Sequence, residues 1–325
     1  MYIVTGAAGL IGSGVIWGLN QRGIDKIIAV DDLGESDKWK NLRALKYAEY
    51  EEKEDFREMI QDGTFDNKKI DAIIHMGACS STTERDAGYL IDNNYKYTQE
   101  LAAFAVANDI RFIYASSCAT YGDGSQGYLD DENKIEDLRP MNMYGYSKQM
   151  FDLWAKRTGL LSKITGLKFS NVYGSNEIHK EEMRSVVCRA YEQISESGKM
   201  ALFKSYIDEY ADGEQMRDFI YIKDAVDMIL FLMDRPDTCG LYNIGSGRAE
   251  TWNALVTAAF EAMDKPVNIE YIEMPDHLRD RYQYYTKTEM GKLQALGYNK
   301  EATSLKDAIA DYIGNYRLQD KFLGD

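Results

Sequence analysis

The sequence predicts an α/β protein built on a doubly wound parallel sheet, and three observations predict it. Tyr2, Ile3 and Val4 form a short apolar run that ends in the glycine-punctuated turn Thr5 to Gly9. From Leu10 onward, Ile11, Val15 and Leu19 recur at helical spacing. A second apolar run, Ile27 to Val30, then ends in an acid, Asp31, about 20 residues past the turn. Strand, turn, helix, strand and acid make up the opening unit of a sheet whose strands alternate with helices.

Each element then follows from its residues. Gly6, Gly9 and Gly12 serve the needs of a bound dinucleotide. One turns the chain sharply, one lets backbone N–H groups approach a pyrophosphate, and one lets helix and strand pack closely. The pyrophosphate rests on the helix N-terminus, where free N–H groups and the dipole favour anions. After Asp31 and Asp32 comes a polar loop with Lys38, and Lys53 follows. An acid at the end of the second strand accepts adenosine ribose hydroxyls and favours NAD, whereas nearby cations hold the 2′-phosphate of NADP. These residues leave both cofactors open.

Ile70 to Met76 reads as a central strand ending in the small-residue turn Gly77, Ala78, Cys79 and Ser80, at the sheet edge where such folds bind ligands. A helix through Gln99 to Ala107 leads to a strand, Phe112 to Ala115, that closes into Ser116 and Ser117. The stretch MYGYSK, Met143 to Lys148, opens the next helix and carries the chemistry. Tyr144 and Lys148 stand four apart and share a helix face. An ammonium beside a phenol stabilises the phenolate, so Tyr144 is expected to have a lowered pKa and to serve as acid/base. Ser117 adds a hydrogen bond to the same reacting oxygen.

A further strand, Ile164 to Phe169, runs into Asn171, Val172 and the polar pair His179 and Lys180. Met183 to Ile194 reads as helix, Met200 to Lys204 as extended, and Ser205 to Gly213 as an acidic loop. Arg217 to Pro236 reads as a strand and helix returning to the main domain, followed by the strand Leu241 to Ile244. Arg217 is a candidate diphosphate ligand, with a second basic cluster at Arg279, Arg281 and Tyr282. Leu305 to Tyr316 is an amphipathic helix expected to pack on the smaller domain.

Composition narrows the function. A net charge of −15 argues against a nucleic-acid partner, because phosphate contacts need clustered Lys and Arg. No apolar run of about 18 residues is present to span a membrane. Four scattered cysteines without a CxxC pair fit a reducing cytoplasm, and three dispersed histidines suggest no metal site.

The segments TGAAGLIGS, YASSCATYG, MYGYSK, FSNVYG, RDFIYIKD and YNIGSGRAE resemble the extended short-chain dehydrogenase/reductases that modify nucleotide sugars. GACSSTTE with DNNY, the HK after NVYG, and RYQYYT are similar to the branch of that family that epimerises ADP-heptoses at C-6. The resemblance implies a Rossmann-type sheet over residues 1–172 and 218–247, binding NADP, and a smaller, discontinuous α/β substrate domain over 173–217 and 248–325. It makes Tyr144 and Lys180 the catalytic acid/bases, supported by Lys148 and Ser117. It places Leu10, Ile11, Asp31, Asp32, Lys38, Lys53, Met76 to Ser80 (with Gly77, Ala78 and Cys79), Asn93 and Lys148 around the cofactor. Asn171, Val172, Phe203, Arg217 and Tyr282 fall around an ADP-heptose. Resembling proteins are homo-oligomers, pentamers among them, working in the cytoplasm on lipopolysaccharide precursors.

Cys118, Ser175, Glu181 and Glu182, and the long acidic loop after Phe203, depart from the family pattern. Carboxylates near a diphosphate are unfavourable unless they point away. Two other enzyme readings and one non-enzymatic reading compete. A UDP-hexose 4-epimerase gives Lys180 no role, a 4,6-dehydratase needs an Asp-Glu pair where Cys118 and Ala119 stand, and a non-catalytic NAD(P)-binding relative would lose Tyr144 or Lys148.

Overall fold

Neighbouring apolar residues within each short strand point to opposite faces of one sheet. Ile3 and Val4, Ile73 and Ile74, and Phe112 and Ile113 each divide between two separate cores. The computed structural model describes residues 1–66, 68–279 and 282–325. In it, β1 (Tyr2–Thr5), β2 (Ile27–Asp31), β3 (Glu49–Glu52), β4 (Ala72–His75), β5 (Arg111–Ser117) and β6 (Thr165–Phe169) lead to the short strands β7 (Asn171–Tyr173), β8 (Met200–Phe203), β9 (Met216–Arg217) and β10 (Phe219–Tyr221). β11 (Gly240–Ile244), β12 (Glu250–Thr251) and β13 (Ile269–Ile272) complete the set.

The main sheet has seven strands in the order β11-β6-β5-β4-β1-β2-β3, and every pair in it is parallel. The chain winds outward from β1 to β3, then returns to β4 on the other side of β1. That reversal leaves a crevice at the carboxyl ends of β1 and β4.

One face is covered by helix α1 (Leu10–Gln21); the other by α2 (Lys53–Gln61), α3 (Ala87–Leu90), a π-helical turn at Ile91–Lys96, α4 (Tyr97–Ala107) and α5 (Met143–Arg157). Helices α6 (Val186–Ser197), α7 (Ile222–Met233) and α8 (Trp252–Ala262) join α1 in the larger core. The three two-stranded sheets, β10-β7, β12-β9 and β13-β8, rise at the crevice end.

The doubly wound parallel architecture is the one the sequence predicts. Some elements differ. β3, with the sequence EYEE, and the following α2 were not expected, because an edge strand that exposes its side chains shows no apolar run. The helix expected from Met183 begins at Val186, after a 3-10 turn over Ile178–Met183. The C-terminal helix is α-helical only over Leu305–Asp311 and continues as a π turn through Arg317. No helix among the described residues is long and apolar enough to cross a membrane.

Candidate active site

At the crevice, glycine is required twice over. Gly6 has φ +63, and a Cβ there would lie 2.6 Å from the Gly77 nitrogen, so β1 and β4 meet only because side chains are absent. A Cβ on Gly12 would collide with the Gly6 carbonyl as α1 leaves the turn. Gly9 caps α1 without a side chain, and the first turn of that helix carries no acid, so its N–H groups remain open to an anion. These residues fit a dinucleotide pyrophosphate.

Asp31 is placed differently from the sequence expectation. One carboxylate oxygen accepts the Ala8 N–H at 2.7 Å; the other accepts the Asp32 N–H at 2.7 Å and pairs with Lys38. The acid thus holds the glycine turn rather than presenting a free edge for a ribose. Lys53 contacts Asn93 Oδ1 at 3.2 Å and Glu54 at 2.9 Å.

Every described candidate residue read from the sequence lines a single cleft of about 1040 Å³ except Phe203 and Arg279. Phe203 ends β8 in register with Ile272 and lies outside the cleft. The acids of the following loop, Asp208 and Glu209, are exposed and also outside it, as are Glu181 and Glu182. Arg279 turns to Tyr206 and Asp276 instead of the cleft, and Arg281 lies outside the described residues.

Tyr144 and Ser117 meet, but the expected lowering of the phenol's pKa by Lys148 does not occur. Burial raises the Tyr144 pKa, and the hydrogen bond with Ser117 only partly offsets this. Lys148 is buried and donates to the Ala115 carbonyl at 2.8 Å, so shared helical facing does not bring its charge onto the phenol. Desolvation lowers the Lys148 pKa to about 8, with Asp152 pulling the other way.

Lys180 lines the same cleft and makes no side-chain hydrogen bond or ion pair among the described residues. Its neighbour His179 is held near pKa about 4, first by burial, then by the Lys38 and Lys180 cations, and stays neutral.

On the opposite wall, Arg217 is buried with its guanidinium 5.2 Å from the Tyr282 ring centroid and 5.7 Å from that of Trp252. The Trp252 indole donates to the Tyr282 hydroxyl at 2.9 Å, closing the cage. The adjacent Asp218 is fully buried and accepts from Ser246 N–H at 2.7 Å, Gly247 N–H at 3.2 Å and Thr288 N–H at 3.0 Å. It ties β10 to the 246–247 turn and to the strap that carries Tyr282.

Three supporting residues escaped the sequence reading. Lys168 on β6 and Asp152 on α5 form a fully buried ion pair at 2.9 Å. Asp152 also accepts from Ser116 at 2.8 Å and Tyr114 at 2.9 Å, and Lys168 donates to Thr120 at 2.6 Å. Asn94 accepts the Cys79 N–H at 2.8 Å and donates to the Cys79 carbonyl and Ser147 Oγ, both at 3.0 Å. It thereby ties the 76–80 turn to α5. The π-helical turn buries Asn93 and Asn94 together. The doubled asparagine in DNNY was the available signal.

The sequence pattern of the NAD dependent epimerase/dehydratase family matches residues 2–245. The chain is 52% identical over 316 residues to the ADP-L-glycero-D-manno-heptose-6-epimerase of Nitratidesulfovibrio vulgaris strain Hildenborough, covering 97% of this chain and 98% of the relative. It is 46% identical to the protein of the same name from Fusobacterium nucleatum, covering 98% and 99%. The crystal structure of the Helicobacter pylori ADP-L-glycero-D-manno-heptose-6-epimerase superposes with a TM-score of 0.80 at 25% identity, covering 97% of this chain and 95% of that one.

Two outcomes follow from these contacts. Lys168→Met leaves Asp152 buried and unpaired, and should cost about 3–5 kcal/mol in urea unfolding, against under about 1 kcal/mol for Lys156→Met on the same layer's surface. Lys148 binds its proton more weakly folded, at about 8, than unfolded, at 10.5, so the unfolded chain holds the extra proton between those values. Stability attributable to this group therefore rises with pH across that window. Urea midpoints of the wild type and Lys148→Met, compared below and above it, should show the variant's relative advantage shrinking as pH rises.

Proposed function

The chain belongs to the NAD dependent epimerase/dehydratase family, and from that premise we propose that it interconverts ADP-D-glycero- and ADP-L-glycero-β-D-manno-heptose at C-6. The observation that carries the reading is the occurrence in one cleft of two separate proton-transfer groups, Tyr144 and Lys180, beside a glycine cradle. A single side chain cannot reach a hydroxyl that points in opposite directions before and after inversion. A UDP-hexose 4-epimerase would leave Lys180 without a task.

Held at the Gly6, Gly9 and Gly12 cradle, a nicotinamide cofactor would supply reversible hydride transfer at the C-6 carbon. The protein's own residues manage the proton and the pose. One of Tyr144 and Lys180 takes the hydroxyl proton, and the ketone turns on its C-5 bond. The other group then returns a proton to the oxygen on the opposite face, and solvent re-equilibrates the pair between turnovers. Ser117 holds the phenol, and Arg217, caged by Trp252 and Tyr282, takes the diphosphate. Asn171 and Val172 line the sugar side.

We assign NADP to the cradle, because Lys38 and Lys53 line the cleft and Asp31 is engaged by the Ala8 amide instead of facing a ribose. Residues 1–172 and 218–247 would hold the cofactor, and 173–217 and 248–325 the substrate. A cytoplasmic homo-oligomer completes the proposal.

Proton NMR of ADP-D-glycero-D-manno-heptose with the purified protein, and no added reductant, should show the 6-epimer growing in. Tyr144→Phe should slow this by about 10²–10³-fold. An untouched heptose defeats the reading. Lys53→Ala should weaken NADP binding about tenfold and NAD binding less than about twofold, by fluorescence titration, since only the 2′-phosphate loses a charged partner.

A further inference from the structure

A second cavity of about 430 Å³ opens beside the main cleft and shares four residues with it: Tyr128, Met141, Tyr282 and Gln283. Its position is set by the catalytic elements. Met141 lies just before α5, which carries Tyr144, and Gly124, Ser125 and Tyr128 follow the loop that leaves β5 at Ser117. The Gln283 side chain donates to the Gly122 carbonyl, so the strap and the Ser117 loop are joined where the two spaces meet.

The walls suit a hydroxylated carbon chain. Tyr128, Tyr282, Tyr284 and Tyr285 supply aromatic surface for C–H groups, and Tyr284 is backed by Tyr210 from the long acidic loop at 5.9 Å between ring centroids. Asp123 supplies a carboxylate, fixed by the Ser125 N–H at 2.9 Å, that can accept a hydroxyl proton. No residue of this cavity has a role in the proton transfers above; Tyr282 on the shared wall cages Arg217.

Inversion at an exocyclic carbinol carbon sets a geometric demand. When the ketone turns about its bond to the ring, its oxygen and its terminal hydroxymethyl group exchange places. In one pose the oxygen faces Tyr144; in the other the hydroxymethyl group does, and space next to Tyr144 must receive it. We infer that the side cavity bounded by Met141, Gln283 and Asp123 is the receiving subsite for the terminal hydroxymethyl group of the sugar. It lets the ketone present its second face. The inference rests on the C-6 epimerisation proposed above and names where the moving group goes. It also gives the long loop after Phe203 a task, since its Tyr210 braces the cavity wall.

Ser125→Trp, which fills the cavity from an exposed loop, tests this in the full-length protein with its cofactor. Mixed with ADP-D-glycero-D-manno-heptose, the variant should form the 6-epimer at least about tenfold more slowly by NMR. The near-ultraviolet absorbance of reduced nicotinamide should still appear at a rate within about twofold of wild type, because oxidation precedes the swing. Asp123→Asn keeps the turn and adds no bulk; it should show the same split at about threefold. Equal loss of both signals, or no loss of epimer in either variant, overturns the inference. A wild type that forms no epimer overturns the reaction on which it rests, and that control tells the two failures apart.

Discussion

The buried ion pair between Lys168 and Asp152 is the interaction on which the candidate site depends. Both side chains are almost wholly removed from water, which is costly unless each charge is paired and its remaining positions are hydrogen-bonded. Both conditions are met: Tyr114 and Ser116 complete the carboxylate, Thr120 the ammonium, and Tyr121 lies 5.1 Å below the cation. The network joins β5, β6, the turn after Ser117 and α5. Ser117 and Tyr144 come from two of those elements, so their meeting is fixed from beneath. Asn94 does the corresponding work between α5 and the turn at Cys79.

A second constraint is charge. The chain carries 53 acids against 38 Lys and Arg, yet its proposed ligands are anionic. The solution is local. The buried acids of the cleft are given protein partners, Asp31 by Ala8, Asp32 and Lys38, and Asp218 by the 246–247 turn and Thr288, whereas Asp32 and Glu35 are exposed. Acids of the long loop stay outside the cleft. Arg217 is desolvated in an aromatic cage, which lowers its pKa somewhat but strengthens any charged contact it makes. Few cations are needed because helix α1 supplies its open N-terminus as well.

What the sequence made legible was local in chain distance. The glycine turn, Asp31, the Tyr144 and Lys148 spacing and the small-residue turn at Gly77 are each written within a few residues, and the parallel sheet follows from their repetition. What stayed hidden depends on distant partners or on an exception to ordinary geometry. Lys168 and Asp152 belong to different elements and look like any charged pair of residues until the fold brings them together. Asn94 faces inward beside Asn93 because the helix is π-wound there. β3 is four polar or aromatic residues at an edge, with no apolar signal to read. Phe203 was placed in the site by resemblance, and the register of β8 with β13 puts it outside. The direction of the Tyr144 pKa was misread because spacing fixes a helix face but not where the Lys148 ammonium ends, which is at the Ala115 carbonyl.

In the proposed reaction, inversion proceeds by removal and return of the same hydrogen at C-6, and the protein moves only the hydroxyl proton. This is tested most directly with ADP-heptose deuterated at C-6, turned over in ordinary water and read by NMR and mass spectrometry. Retention of the deuterium in the epimerised product is the predicted result. Its replacement by solvent hydrogen would mean that the carbon itself is deprotonated, and would contradict the roles of Tyr144, Lys180 and the glycine cradle.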